Sequence, residues 1–169
     1  YDIRGEADKD LNAETVEHLG RAYGTYLAKQ NIQQAIIGYD CRLSSKEFKE
    51  ALIKGIVFTG VNVVDIGLTL VGTFYWSQYF LNIKGGVMIT ASHNPAEYNG
   101  FKMAVDFSET MVSEQIQEIR KIVENENYLQ ANKLGKIEKK DITQDYFTDM
   151  AKRFELVKKF KVVIDPSLS

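Results

Sequence analysis

The stretch "GGVMITASHNPAEYNGFKMAVDF", residues 85–107, constrains the fold more than any other part of the chain. It holds two apolar runs, 85–92 and 100–107, with only seven residues between them. Parallel neighbours need a crossover of a dozen residues or more, so these two strands are expected to be adjacent and antiparallel. Elsewhere, short apolar runs alternate with segments of helical periodicity, which implies helices packed on both faces of a sheet. The two patterns together predict an α/β domain: a three-layer α/β/α arrangement with a mixed, mostly parallel sheet.

The expected elements follow from local signals. Asn12 caps a helix over 13–30 that carries Val16, Leu19, Tyr23, Tyr26 and Leu27 on one stripe. "AIIGYD" (35–40) and "VNVVDIG" (61–67) read as buried strands. Between them "SSKE" (44–47) has the form of a capping box, with Ser44 and Glu47 satisfying each other's backbone. Its helix presents Phe48, Leu52 and Ile56. Residues 73–82 are rich in aromatics and read as helical, with Phe74, Tyr75, Trp76, Tyr79 and Phe80 expected to serve the core rather than a ligand. A helix capped by Ser113 turns Ile116, Ile119 and Ile122/Val123 inward. Residues 125–142 are polar and read as the loosest connection. A last helix over 142–156, with Tyr146, Phe147, Met150 and Phe154, precedes a final strand over 160–165.

Net charge is −2, and no Lys/Arg run exceeds two residues, which leaves no electrostatic case for nucleic acid. The apolar runs are far too short to span a bilayer. The one cysteine, Cys41, excludes an internal disulfide framework and a Cys-rich zinc site, and reads as a small buried side chain. No secretory signal opens the sequence, and the expectation is a reducing, cytoplasmic setting. The chain begins at Tyr1 and ends "KVVIDPSLS", so it reads as a piece of something longer. His18 reads as a solvated helix residue.

Chemistry concentrates in "ITASHNPAEYNGFK" (89–102). Ser92 closes one strand and Lys102 lies near the start of its partner, with Asn94-Pro95 and Asn99-Gly100 read as turns between them. The Ser92 hydroxyl, the His93 imidazole and the Lys102 ammonium are thereby expected around one mouth, at the strand ends where α/β sheets bind ligands. Phosphate suits such a set: a phosphoserine carries about −1.5 to −2 charges near neutrality, which Lys102 and His93 would partly balance. A bare turn uses the same Asn, Pro and Gly residues, so spacing alone leaves both readings open. A serine hydrolase is disfavoured, because no G-x-S-x-G elbow is present.

"TASHNP" followed by "YNGFK" resembles the active-site serine loop of the α-D-phosphohexomutases. "YDIRG" (1–5), "GYDCR" (38–42) and "DIG" (65–67) resemble three further segments of that family in the same order, and the YDIRG and NGFK forms resemble its phosphomannomutase/phosphoglucomutase branch. One departure is visible: the family's Thr-Pro pair after DIG is replaced by Val71-Gly72, which puts the local turn in question.

The resemblance implies a four-domain enzyme that interconverts hexose 1-phosphate and 6-phosphate of mannose and/or glucose. Residues 1–157 would be its phosphoserine domain, and 158–169 the first strand of domain two. Ser92 would be the phosphoryl carrier, and one oxygen of its phosphoryl group would bind Mg²⁺. The remaining metal ligands would come from a D-G-D-x-D-R loop that this chain lacks. Lys102 would assist proton transfer, His93 would contact phosphate or order the loop, and Arg4 would support the catalytic groups. Tyr1 and Asn94 would line the substrate side. The implied cofactors are Mg²⁺ and a hexose 1,6-bisphosphate activator or intermediate, and the implied partners are a phosphosugar and the missing domains two to four. Without those domains the chain is expected to be inactive. Asp40 and Arg42 are read as a structural ion pair beneath the serine loop. The alternative is a stand-alone, non-catalytic domain of the same fold that binds a phosphosugar or a partner protein.

Overall fold

Apolar residues at helical spacing need a sheet face to cover, and the chain supplies them on both sides. The structure is a computed structural model and describes residues 3–155 and 157–164. Among the described residues twelve elements run in order: β1 (Ile3–Glu6), α1 (Ala13–Lys29), β2 (Gln34–Tyr39), α2 (Ser45–Phe58), β3 (Asn62–Leu68), α3 (Val71–Leu81), β4 (Gly85–Ile89), β5 (Tyr98–Asp106), β6 (Glu109–Thr110), α4 (Ser113–Glu124), β7 (Ile137–Lys139) and α5 (Thr143–Arg153). The sheet order is β1-β5-β4-β2-β3-β7, with β6 added to β5. β4-β2-β3-β7 are parallel, whereas β5 runs antiparallel to β1, β4 and β6. The short connection from β4 to β5 therefore makes the expected hairpin, and the sheet is mixed as predicted.

Helices α1, α2 and α4 close one face. Val16, Leu19, Tyr23, Tyr26 and Leu27 of α1 pack there with Phe48, Leu52 and Ile56 of α2, and with Ile119 and Ile122 of α4. Asn12 caps α1 as expected: its Oδ1 accepts from the Thr15 amide at 2.9 Å, and Thr15 Oγ1 accepts from the Asn12 amide. The Tyr23 hydroxyl is fully buried and accepts the Gly86 amide at 2.7 Å, so this helix is tied to the central strand. On the other face Phe74 of α3 packs with Ile36, Val64 and Met88, and Ile142 joins them just before α5.

Several local expectations change. Ser44 precedes α2 in a helical conformation and makes no side-chain cap; its hydroxyl accepts instead from Asn99. Ser113 is the first residue of α4, and Gln115 Oε1 takes the Val112 amide. The stretch 125–142 is anchored rather than loose. The Gly135 amide reaches Val57 O, and β7 extends the sheet beyond β3. His18 is half-buried, its Nδ1 lying 2.9 Å from the Tyr128 hydroxyl. Cys41 is exposed, because it follows the end of β2 in a turn and has no core to enter. Of the α3 aromatics only Phe74 is fully buried; Tyr79 and Phe80 are exposed, since α3 is aromatic on more of its circumference than one sheet face can cover. Helix α5 buries none of its side chains completely. The final strand does not form over its described part: 160–164 is exposed and extends no sheet, and a strand needs a neighbour's backbone groups.

Candidate functional site

β4 ends at Ile89, and the chain then crosses to β5 over the carboxyl ends of the parallel strands. Ser92 lies in this crossing, exposed, with φ at +57°. A residue with a Cβ adopts that left-handed conformation at a cost, and it persists where surrounding contacts hold it. Adjacent side chains along an extended strand diverge, but this turn brings the Ser92 hydroxyl to 3.4 Å from His93 Nδ1. The Ser92 amide is held at 3.0 Å by Thr90 Oγ1.

The holding contacts come chiefly from Arg42. Its guanidinium donates to four main-chain carbonyls of the loop: Ser92 at 3.0 Å, Asn94 at 2.7 Å, Pro95 at 2.6 Å and Tyr98 at 2.8 Å. Asp40 orients it, with Oδ2 3.3 Å from Arg42 Nε and Oδ1 accepting the Arg42 amide. The planar fork of five donors suits Arg to this task, whereas a lysine ammonium could not span the loop. The expected structural ion pair is present, and it also carries the loop.

Arg4, on β1 and paired with Gly100 of β5, reaches Asn94 Oδ1 at 3.3 Å. Asn94 therefore holds two arginines, one by its side chain and one by its carbonyl. Lys102 is half-buried opposite Met88, on the α3 side of the sheet. It lies two positions inward from Gly100, about 7 Å along the strand. Ser92, His93, Asn94 and Arg4 are thus gathered around one loop, while Lys102 stands further inside the sheet. Tyr1 lies outside the described residues.

Asn99-Gly100 is not a turn; both residues belong to β5 and pair with Gly5 and Arg4. A Cβ at Gly100 would meet Ile3 O at 2.5 Å, so the glycine lets β1 approach. Sequence reasoning also missed the role of Asn99 and Ser45, both fully buried. Asn99 Nδ2 donates to Ser45 Oγ at 3.0 Å, and Ser45 Oγ donates to Asp40 Oδ1 at 2.6 Å. Among the described residues, no group of three or more His, Cys, Asp or Glu side chains is placed to hold a metal. No described helix is long and apolar enough to cross a membrane.

Comparison with known proteins converges on one family. Residues 1–130 match the model of phosphoglucomutase/phosphomannomutase, alpha/beta/alpha domain I. A phosphomannomutase/phosphoglucomutase of Pseudomonas putida is 41% identical over 98% of the chain, and a phosphoglucomutase of Neisseria meningitidis is 34% identical over the same share. The chain spans only 35% and 36% of the length of these two relatives. The crystal structure of a phosphoglucomutase/phosphomannomutase family protein from Burkholderia thailandensis superposes with a TM-score of 0.87 at 29% identity, covering 94% of this chain and 36% of that one.

Proposed function

The chain belongs to the phosphoglucomutase/phosphomannomutase family, and from that membership we propose that it is the phosphoserine domain of a hexose-phosphate mutase, the activity residing in the full-length protein. The carrying observation is the exposed Ser92 hydroxyl on a left-handed turn whose carbonyls are held by one half-buried arginine, Arg42. Catalysis of phosphoryl transfer is mostly positioning and charge neutralisation, and a carrier on a fixed loop meets the first need.

In this reading phospho-Ser92 donates to the free hydroxyl of a hexose 1- or 6-phosphate of mannose or glucose. The sugar oxygen forms a bond to phosphorus as the bond to Ser92 Oγ breaks. The proton of the sugar hydroxyl is taken up by a base, a transfer for which Lys102 is the candidate helper, and the Ser92 oxygen regains a proton. The product is a hexose bisphosphate. It turns over, and Ser92 Oγ then takes the other phosphoryl group, which restores the carrier. A serine phosphate ester suits this role because it survives in water between turnovers. His93 would contact the phosphoryl oxygens or order the loop. Arg4 would steady Asn94 at the substrate side, and Tyr1 would extend that side.

Magnesium, when bound, would neutralise phosphoryl charge. The described residues do not form a complete site for it. This chain's share would be one oxygen on phospho-Ser92, with carboxylates supplied by later parts of the full-length protein. Residues 158–169 would open the second of four domains.

The test is turnover by the full-length protein of mannose 1-phosphate and glucose 1-phosphate, with magnesium and a hexose 1,6-bisphosphate. Conversion of either to its 6-phosphate is expected. No conversion of either sugar would remove the mutase reading.

A further inference from the structure

We infer that Asn99 and Ser45 form a positioning relay for Ser92, acting through Asp40 and Arg42 rather than by touching substrate; its kinetic consequence rests on the mutase reading above. The path is continuous and directional. The Gly100 amide donates to Asn99 Oδ1 at 2.8 Å, which fixes the amide so that Nδ2 faces α2. Nδ2 then donates to Ser44 Oγ at 2.9 Å and Ser45 Oγ at 3.0 Å. The Ser45 hydroxyl has one proton, and with its oxygen already accepting from Asn99 that proton goes to Asp40 Oδ1 at 2.6 Å. Asp40 in turn holds the Arg42 amide at 3.1 Å and its guanidinium at 3.3 Å. Arg42 closes the path on four carbonyls between Ser92 and Tyr98.

Both relay residues are wholly buried, so neither serves solvent or a ligand directly. The path is buried at Asn99 and Ser45 and half-buried at Asp40 and Arg42; a hydrogen-bonded chain away from water holds one arrangement when every member is satisfied. An acceptor-only side chain at position 99 would reverse the direction. Asn99→Asp would compete with Asp40 for the one Ser45 proton, and Asp40 would lose its hold on Arg42. Ser45→Ala cuts the same path without adding a charge.

The test uses the full-length protein with Asn99→Asp, Ser45→Ala and the double variant, read by backbone hydrogen exchange over 92–98 and by steady-state kinetics. Exchange in that loop should speed up by about tenfold or more while the melting curve stays cooperative. kcat should fall by about 10- to 100-fold with KM within about twofold, the signature of a displaced reacting group. The double variant should be no worse than the more severe single one, because both cut one path. Unchanged loop exchange in a folded variant, or single effects that multiply in the double, would overturn the relay. Should Asn99→Asp fail to fold, Ser45→Ala carries the test alone. If the wild-type protein shows no turnover, the mutase reading falls, and hydrogen exchange still decides the relay.

Discussion

Lys102 shows how register limits what one residue can be asked to do. It is half-buried opposite Met88, inward of the serine loop, so a role at the reacting oxygen would need its long side chain to span that offset. A proton-transfer role predicts that Lys102→Met in the full-length protein lowers kcat far more than it raises KM. General acid–base help is worth about a hundred- to ten-thousand-fold. Steady-state kinetics on the phosphorylated forms would measure this; unchanged kcat with raised KM would make Lys102 a binding residue instead. Ser92, His93 and Arg42 were legible in the sequence because they lie in short motifs with evident chemistry. Asn99 was not: beside Gly100 it has the composition of a turn, and only the pairing of β1 with β5 reveals that the amide is buried in a strand. Nor was Ser45: the sequence form of a cap belongs to Ser44, and only the fold brings the Ser45 hydroxyl to Asp40.

Helices α1 and α2 cross at two glycines. A Cβ at Gly55 would meet Glu17 O at 2.2 Å, and one at Gly20 would meet Leu52 O at 2.3 Å. Gly72, in the first turn of α3, has nothing within 4 Å of where its Cβ would lie. The same substitution should therefore have opposite signs. Gly55→Ala gains about 1 kcal/mol in helix propensity, but forcing the backbones apart costs more, for a net loss of roughly 1–3 kcal/mol. Gly72→Ala should stabilise by roughly 0.4–1 kcal/mol. Urea midpoints of the two variants check this, and a stabilising Gly55→Ala would refute the close crossing. Helix α3 begins at Val71 without the family's Thr-Pro pair, so packing of Phe74 and its neighbours suffices to start it. Most elements were legible because apolar spacing is set by the faces they cover. β1 and β7 were not, since a four-residue and a three-residue strand carry too little pattern and owe their existence to their neighbours.

At the scale of the molecule, the carboxyl ends of the strands gather the serine loop, Arg42 and Arg4 on one edge of the sheet. The relatives are nearly three times as long as the chain, which spans 35% of the Pseudomonas putida enzyme. On the proposed function the 169-residue chain alone should show no mutase turnover even with magnesium and bisphosphate, because it lacks carboxylates grouped for the metal among its described residues. Robust turnover by this chain would contradict the division of labour. The central claim is that Ser92 carries the phosphoryl group. Intact-mass analysis of the full-length protein and its Ser92→Ala variant, each incubated with hexose 1,6-bisphosphate, tests it most directly. One phosphate is expected on the wild-type protein and none on the variant; a phosphate that persists in Ser92→Ala would rule Ser92 out as the carrier.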